Sequence, residues 1–287
     1  MTDKSGESWL KKFGHLRPHP HGWRYCWSDA DRETLLQSLR ELVARPDSGV
    51  LSGGVIPGGF RPEGLFFDVD ATLIREESIV ELAREYGCGK EVALVTEKAM
   101  QGELDFEEAL IRRVGLLQGM PESQIASVSG RLSFQPGLPG LVSWARGLDI
   151  PLFMVSGGFT LFVKELATRL KFTDFAANVL EIKNRQLTGK LQAGAPVVDG
   201  GFKATWLKKM CRSHGLDQNQ VLATGDGAND RFMMGEVGLG AGFMPKATLL
   251  PHLHIINRTG SYQFLQDLLV TASGGQGAPV ESTDTLM

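Results

Sequence analysis

The stretch "FFDVDATLI", residues 66–74, joins an apolar run to two aspartates, Asp68 and Asp70, that are separated by a single valine. The apolar letters "GLFF" that lead into it indicate a buried strand, and a buried strand is a costly place for unpaired carboxylates. Carboxylates gathered at a strand end are hard oxygen ligands suited to Mg²⁺, and the cation would offset their mutual repulsion. The stretch therefore predicts a strand that delivers acidic groups to a metal-binding edge.

Further apolar runs follow this strand and alternate with helical patterns. The runs are "IPLFMVSGG" (150–158), "QVLATGDG" (220–227), "VGLGAGF" (237–243) and "LHIIN" (253–257), with helical patterns over 161–170 and 204–214. Such alternation predicts an α/β fold, a Rossmann-like parallel sheet with helices on both faces. The segment "VLEIKNRQLTGKL" (179–191) alternates around a polar turn and predicts an attached β-hairpin.

One long segment, from residue 77 to about 134, interrupts the alternation. Apolar residues recur there at helical spacing from Ile79 to Tyr86 and again from Phe106 to Leu117. We expect a helical cap, inserted after the first strand, that hangs over the carboxyl ends of the sheet, where open α/β sheets bind ligands.

The chain ends predict a three-part organisation. Residues 1–60 form an N-terminal extension of unknown role, with one helix from Asp29 to Ala44 and then a Gly-rich linker. Residues 61–270 form the main domain, and the polar, Gly-rich residues 271–287 are predicted to be a disordered tail. The histidines near residues 15–21 do not favour a metal site, because the prolines between them oppose a helix.

Composition limits the possible partners of the 287-residue chain. Its net charge of −3 without a basic block argues against nucleic acid. No apolar run approaches the ~20 residues of a membrane helix, and the first residues lack the apolar segment of a signal peptide. Three widely spaced cysteines match neither a zinc site nor a disulfide framework. We therefore expect a reduced, cytoplasmic protein, and the composition indicates nothing more specific than a soluble protein of enzyme size.

Three of the predicted strands end in polar residues, Asp68, Ser156 and Asp226, and parallel strand ends converge on one edge. There Asp68 could attack an electrophilic phosphorus while Asp70, pushed toward protonation by its neighbour, gives a proton to the leaving alkoxide. Ser156 and the Gly157 N–H, at a predicted strand-to-helix turn, suit a phosphoryl group. Lys203 could bind a phosphoryl oxygen and offset the carboxylates.

These segments resemble a known family. "DVDATL", "VSGGF", Lys203 in "GFKATWL" and "GDGAND" occur in the order and rough spacing of the haloacid dehalogenase superfamily of phosphatases. The chain is similar, more narrowly, to the phosphoserine phosphatases through "EESIVELAREYG", "AMQGELDFEEALIRRVGLL", "FAANVLEI" and "LTG". The resemblance covers residues 64 to about 270.

The resemblance implies Mg²⁺-dependent hydrolysis of O-phosphoserine to serine and phosphate, through an aspartyl-phosphate, in serine biosynthesis. It implies Asp68 as the nucleophile and Asp70 as the general acid and base. Mg²⁺ would be held by Asp68, the backbone carbonyl of Asp70, and Asp226. Asp230 would orient Lys203 or a water on the metal.

The resemblance also implies a set of substrate contacts. Thr72, Ser156, Gly157 and Lys203 would handle the phosphoryl group, and Asn229, in the last motif, would also bind the substrate. In the cap, Glu77 would meet the substrate ammonium and Arg113 its carboxylate. Met100 and Phe106 would line an apolar wall.

Two features depart from this family. Ala71 stands where these enzymes usually carry serine, which affects the expected substrate selection more than the expected chemistry. Residues 1–60 do not resemble the regulatory amino-acid-binding module of some bacterial members, so feedback by serine is not implied. The sequence gives no indication of oligomeric state.

Two alternative functions remain open. One is the same chemistry on another small phosphomonoester or acceptor, such as a phosphohomoserine phosphotransferase, although Arg113 argues against a substrate that lacks a carboxylate. The other is a non-catalytic binding protein on this fold. Such a protein would be expected to lack at least one of the four central residues, and all four are present: Asp68, Asp70, Lys203 and Asp226.

Overall fold

The computed structural model describes residues 15–19, 22–26, 37, 52–54 and 56–272. The strands within these residues are β1 (His15–His19), β2 (Gly22–Cys26), β3 (Gly53–Gly54), β4 (Gly64–Phe67), β5 (Leu152–Phe159), β6 (Asp174–Asn178), β7 (Leu180–Lys183), β8 (Gln186–Leu191), β9 (Val221–Gly225), β10 (Leu239–Phe243) and β11 (Ile255–Asn257). Seven of them form one sheet in the order β3-β11-β10-β9-β4-β5-β6. All neighbours in it are parallel except β3 and β11.

The α-helices of the described residues are α1 (Ser78–Tyr86), α2 (Gly89–Met100), α3 (Phe106–Gly115), α4 (Glu122–Ser129), α5 (Leu138–Gly147), α6 (Thr160–Leu170), α7 (Gly200–His214), α8 (Arg231–Met234) and α9 (Gln263–Ala272). A parallel sheet whose strands alternate with helices confirms the predicted α/β class. None of these helices combines the length and apolarity that a bilayer crossing requires.

Strand β4 lies in the interior of the sheet, and its side chains alternate between two hydrophobic cores. Leu65 and Phe67 pack in one core, whereas Phe66 packs in the other. Phe66 pairs in register with Phe153 of β5, and their rings stack with centroids 4.5 Å apart. A strand buried on both faces needs apolar residues at every position, which is why "GLFF" carries no polar letter before Asp68.

The two cores are closed by different helices. α5, α6 and α9 supply buried residues to the core of Phe67, and α7 and α8 supply them to the core of Phe66. Trp206 of α7 packs edge-on against Phe66, with ring centroids 6.2 Å apart. The sheet is thus covered on both faces, and its carboxyl edge is left for other segments.

Helices α1 to α4 lie between β4 and α5 and form the helical insertion. Two segments connect the insertion to the sheet, and they run antiparallel to each other. They pair through a bridge between Ile74 and Phe134 and through a 3.1 Å hydrogen bond from Arg75 N–H to the Ser133 carbonyl. The Glu76 carboxylate fastens the same junction by accepting from the Ser133 hydroxyl at 2.6 Å. The predicted insertion after the first strand is therefore present.

The predicted hairpin is also present, as the antiparallel pair β7–β8. It pairs with the helical insertion through a bridge between Pro121 and Gln186, and Gly119 N–H donates to the Leu187 carbonyl at 2.8 Å. The hairpin thus joins the insertion, so that the insertion is supported by a later part of the chain.

The end of β5 differs from the prediction. The strand was expected to end at Ser156, but it continues to Phe159, and α6 begins directly afterwards at Thr160. The reason is a register shift against β6 between Ser156 and Phe159, which lets the chain stay paired while Gly157 and its neighbour bulge. Ser156 and Gly157 therefore lie inside an irregular strand and not at a strand-to-helix turn.

One outermost strand of the sheet, β3, lies before residue 61, where the main domain was predicted to start. Gly53–Gly54 pair with β11, and the Ser52 hydroxyl accepts from Arg258 N–H at 2.7 Å. Phe60 is buried in the core. The predicted helix from Asp29 to Ala44 lies outside the described residues apart from Gln37, which is helical, and residues 273–287 of the predicted tail also lie outside them.

Candidate active site

Two acidic residues follow neighbouring central strands at the carboxyl edge. Asp68 comes directly after β4 and Asp226 directly after β9, and these strands pair in parallel. The Asp68 N–H continues the ladder by donating to the Thr224 carbonyl at 2.9 Å. The fold thus holds both carboxylates at one edge, with the backbone of Asp68 fixed by the sheet itself.

Lys203 reaches this edge from the first turn of α7, and its side chain is fully buried. Its ammonium lies 2.7 Å from Asp68 Oδ1 and 2.7 Å from Asp230 Oδ1. Burial by itself would lower the pKa of Lys203, but the carboxylates of Asp230 and Asp68 outweigh it and raise that pKa, so the amine stays protonated. The helix starts where it does because the Asp199 side chain accepts from Phe202 N–H at 2.7 Å, an N-cap.

Asp230 is occupied on both oxygens. One accepts from Lys203, and the other accepts from the N–H groups of Asp226 and Gly227, each at 3.1 Å. Asp230 therefore ties the buried lysine to the turn that carries Asp226. A carboxylate with this many donors is fixed in orientation.

Asp68, Asp226 and Asp230 form a buried acidic cluster in which one ligand oxygen from each lies within 4.8 Å of the others. Burial, with the charge of Asp230, raises the pKa of Asp68 against the opposing pull of Lys203. Burial also raises the pKa of Asp226. Raised carboxyl pKa values indicate a site that is short of positive charge, and a divalent cation with oxygen ligands would supply it. The residues present therefore fit a metal ion.

The chain after β4 makes a tight turn around one carbonyl. The Val69 carbonyl accepts from the N–H groups of Thr72, Leu73 and Ile74, and Ala71 takes a left-handed φ of 54°. The Thr72 hydroxyl is buried and, among the described residues, has no hydrogen-bond partner. The Tyr262 hydroxyl donates to the Thr72 carbonyl at 3.2 Å and so stabilises the turn.

Asp70 lies between the sheet edge and the helical insertion. Its carboxylate accepts from the Ser78 hydroxyl at 2.8 Å and from the Ser78 N–H at 3.3 Å, so it caps the first turn of α1. Burial, with the charge of Glu77, raises the pKa of Asp70 to about 7, although the two bonds from Ser78 oppose the shift. A carboxyl group with this pKa can both give and take a proton near neutral pH.

The bulge of β5 brings Gly158, with the Ser156 hydroxyl beside it, close to Asp70. The Ser156 hydroxyl is fully buried and accepts from Gly158 N–H at 2.9 Å. A Cβ at Gly158 would lie 2.7 Å from Asp70 Oδ2, so only glycine allows this close approach. Asn178 holds the bulge by donating to the Gly157 carbonyl at 2.8 Å.

The insertion contributes Glu77, Arg113 and Phe106 above the edge. Glu77 precedes α1 without capping it through its side chain, which is 47% exposed. Burial lowers the pKa of Arg113, and the charges of Glu77 and Asp70 oppose that shift, which indicates that these acids lie near the guanidinium. Phe106 packs against the bulge, since a Cβ at Gly157 would lie 3.2 Å from its ring.

Two other predicted residues are less defined. Asn229 is half-buried in the turn that contains Asp230, and a Cβ at Gly227 would lie 2.8 Å from its Oδ1. Met100 ends α2, but its side chain lies outside the described residues.

The sequence analysis missed Lys246. Its ammonium lies 2.9 Å from Asp226 Oδ2 and 4.0 Å from Glu77 Oε1. It also missed Ser78, the partner of Asp70. The signal for Lys246 was a basic residue three positions after the apolar run "LGAGF", because β10 ends beside β9 and so delivers it to the same edge.

Comparison with known proteins bears on the family of the chain. A family model described as haloacid dehalogenase-like hydrolase matches residues 65–235. A phosphoserine phosphatase of Albidiferax ferrireducens is 37% identical over 229 residues, which cover 76% of this chain and 97% of that protein. A probable phosphoserine phosphatase of Schizosaccharomyces pombe is 44% identical over 188 residues, which cover 64% of this chain but only 62% of that protein.

A solved structure described as a phospho-aspartyl intermediate analogue of phosphoserine phosphatase is similar in fold. Its TM-score is 0.68 at 30% identity, and the match covers 73% of this chain and 99% of that one. The family match, the central sheet and the acidic edge agree with one another. The chain belongs to the haloacid dehalogenase-like hydrolases.

Proposed function

We propose that this protein is a Mg²⁺-dependent phosphomonoesterase that hydrolyses O-phospho-L-serine to serine and phosphate through an aspartyl-phosphate on Asp68. The observation that carries the proposal is the meeting of two sets of groups. Asp68, Lys203 and Asp226 converge at the sheet edge, and Glu77 and Arg113 lie in the insertion near Asp70. The names of the similar phosphatases support this substrate.

In the first step Asp68 attacks the phosphorus, and the bond from phosphorus to the serine oxygen breaks. Lys203 holds Asp68 Oδ1 at 2.7 Å, which leaves the other oxygen, Oδ2, as the attacking atom. Asp70, with a pKa of about 7, gives its proton to the leaving serine oxygen. Two carboxyl groups thus divide the work because one is paired with a lysine and the other is not.

In the second step Asp70, now ionised, takes a proton from the water that attacks the phosphorus of the aspartyl-phosphate. The bond from phosphorus to Asp68 breaks, and phosphate leaves. Ser78 fixes the orientation of the Asp70 carboxylate for both proton transfers. The same group therefore serves as acid and then as base, as microscopic reversibility favours.

The acidic cluster would hold the metal through Asp68, Asp226 and the backbone carbonyl of Asp70. A bound Mg²⁺ would supply positive charge to the phosphoryl oxygens and to the carboxylates that face them. Asp230 would keep Lys203 aimed at Asp68, because it accepts from that lysine at 2.7 Å.

The phosphoryl oxygens would be held by donors around the edge. The orphan hydroxyl of Thr72, the buried hydroxyl of Ser156 and the N–H of Gly157 are suited to this task, and Asn229 and Lys203 would complete the set. An unpartnered buried hydroxyl such as that of Thr72 favours a ligand oxygen at this place.

The insertion would act as a cap that recognises the amino acid. Glu77 would pair with the substrate ammonium, Arg113 with its carboxylate, and Phe106 with Met100 would form the apolar wall. The domain division that this implies is an extension before the sheet, the phosphatase domain with its inserted cap, and a tail. A cytoplasmic location fits the substrate and is part of the proposal.

A panel of phosphomonoesters tests the proposal. We expect phosphoserine to give the highest kcat/KM in this panel. Phosphothreonine carries the same two charges at the same spacing but adds a methyl group, and phosphohomoserine lengthens the spacing by one methylene. Phosphoethanolamine lacks the carboxylate, and glycerol phosphate lacks both charges. A higher kcat/KM for phosphohomoserine, or phosphoryl transfer to a second amino acid, would replace the assignment with a related one. Absence of turnover on every member would indicate a binding protein.

Metal removal tests the proposed dependence of the reaction on Mg²⁺. Treatment with a chelator should abolish turnover, and added Mg²⁺ should restore it, because the phosphoryl oxygens and the acidic cluster carry like charge. Calcium should inhibit, since its looser shell accepts both oxygens of a carboxylate. Undiminished turnover in chelated buffer would contradict the proposed chemistry.

A further inference from the structure

Lys246 contacts Asp226 through both its backbone and its side chain. The Lys246 N–H donates to the Asp226 carbonyl at 2.8 Å, and the ammonium lies 2.9 Å from Asp226 Oδ2. The lysine side chain is 61% exposed, whereas that of Asp226 is 10% exposed. A largely exposed lysine side chain thus pairs with one specific oxygen of a nearly buried carboxylate.

The loop that carries Lys246 is built in a demanding conformation. Met244 takes a φ of 43°, in the left-handed region that non-glycine residues rarely adopt, while its N–H donates to the Asn257 carbonyl at 2.7 Å. A Cβ at Gly242 would lie 2.8 Å from the Pro245 ring, so the loop folds tightly back on β10. Strained backbone persists only where the surroundings hold it, and here it delivers the lysine to Asp226.

The contact determines how Asp226 can bind a cation. A carboxylate with two free oxygens can bind a metal through both, as it often does with Ca²⁺, whereas Mg²⁺ prefers single oxygens in a compact octahedron. The Lys246 ammonium occupies Oδ2 and leaves Oδ1. Partners in the outer shell of a metal ligand commonly set its orientation and affinity in this way.

We propose that Lys246 is a positioning residue that restricts Asp226 to one-oxygen coordination, and thereby makes the acidic edge select a small cation over a larger one such as Ca²⁺. This inference rests on the metal site of the proposed function. Lys246 acts through Asp226 and has no part in the bond changes at phosphorus. Its contact with Glu77, at 4.0 Å, is longer and does not fix the ammonium.

Cation binding by the purified full-length protein tests the inference without turnover. Wild type and Lys246→Met would be titrated with MgCl₂ and with CaCl₂ by calorimetry, in the absence of substrate. Removal of the ammonium should raise the affinity for both ions, because a positive charge is lost, but Ca²⁺ should gain about tenfold more than Mg²⁺, because only it uses the freed oxygen.

Lys208→Met is the matched control, since Lys208 also makes a 2.9 Å ion pair, with Glu236, and is partly exposed. Its ratio of Ca²⁺ to Mg²⁺ affinity should equal that of wild type. A ratio in Lys246→Met within twofold of wild type would overturn the inference, because the lysine would then act by charge alone.

Phosphoserine hydrolysis by the wild type, measured separately, distinguishes a failure of the inference about Lys246 from a failure of the proposed function. An unchanged affinity ratio with normal hydrolysis overturns only the role of Lys246. A shifted ratio without hydrolysis overturns only the proposed substrate. If the wild type binds neither ion, both the inference and the proposed metal dependence are wrong.

Discussion

At the sheet edge Lys203 is 0% exposed and makes two ion pairs of 2.7 Å, whereas in the helical insertion Glu77 is 47% exposed and meets Lys246 at 4.0 Å. Charges removed from water interact strongly and keep one geometry, while exposed charges are screened and mobile. The edge is therefore suited to bond-making at a fixed atom. The insertion is suited to recognising a charged molecule that has to enter and leave.

The two regions meet at Asp70. It lies three residues after the end of β4, yet its carboxylate caps α1 of the insertion through Ser78. The orientation of the proposed proton donor thus depends on where the insertion sits. The connectors at Ile74 and Ser133 set that position.

The largest expected effect on stability comes from Lys203→Met. The substitution leaves Asp68 and Asp230 buried without their cation, and loss of one partner of a buried pair costs about 3–5 kcal/mol. Urea unfolding in chelated buffer would measure this cost. Lys208→Met, which removes a partly exposed pair, should cost less than about 1 kcal/mol, and equal costs for the two variants would contradict the contrast between edge and surface.

Arg113→Ala should act on recognition and spare the chemistry. An unpaired substrate carboxylate costs about 2–4 kcal/mol, or roughly 30- to 1000-fold in kcat/KM for phosphoserine. Nitrophenyl phosphate, which has no carboxylate, should stay within about threefold of wild type. Arg112→Ala is the matched control, because Arg112 pairs with Glu108 on the solvent side of the same helix. An equal fall for both substrates would make Arg113 structural.

The pH dependence should separate the leaving groups. Asp70 has a pKa of about 7, so its proton is present below that pH and lost above it. With phosphoserine, kcat should therefore fall as pH rises above 7, approaching about tenfold per unit, while nitrophenyl phosphate should show little fall. Ser78→Ala removes the hydroxyl bond that lowers the Asp70 pKa, while the backbone N–H bond remains, and should move the fall to higher pH. Identical profiles for both esters would contradict the role of Asp70.

The smallest expected effect on activity comes from deleting the residues that precede the main part of the sheet. Deletion of residues 1–51 should leave kcat and KM nearly unchanged, since every proposed site residue lies later. Deletion of residues 1–58 also removes β3 and the Ser52 contact, and should cost about 1–2 kcal/mol more in the free energy of unfolding. Lost activity in a folded form of either variant would show that the early residues contribute to the site.

The sequence predicted the edge better than its surroundings because both faces of the central strands are buried. A strand such as β4 or β9 is buried along its length and carries no charged residue, so the first charged residue marks its end, and Asp68 and Asp226 were found in this way. The spacing of Ile79 to Tyr86 likewise predicted α1, whose inner face packs in the core.

Other features depend on contacts that no local pattern records. The length of β5 was missed because its bulge keeps pairing with β6 after Ser156. β3 consists of two glycines and has no pattern of its own. Lys246 and Tyr262 reach the site only because their segments lie beside β9 and β4 in space, and a lone lysine or tyrosine in a loop carries no signature of that.

Trapping of the phosphorylated enzyme tests the central claim most directly. Wild type turning over phosphoserine labelled in its phosphoryl group would be quenched in acid, and the labelled peptide identified by mass spectrometry. We predict label on the peptide that contains Asp68, released by hydroxylamine as expected of an acyl phosphate. The Asp68→Asn variant should carry no label, keep its circular dichroism spectrum and lose turnover by roughly 10⁴-fold or more. Label on a different residue, or an Asp68→Asn variant that hydrolyses phosphoserine as wild type does, would contradict the account.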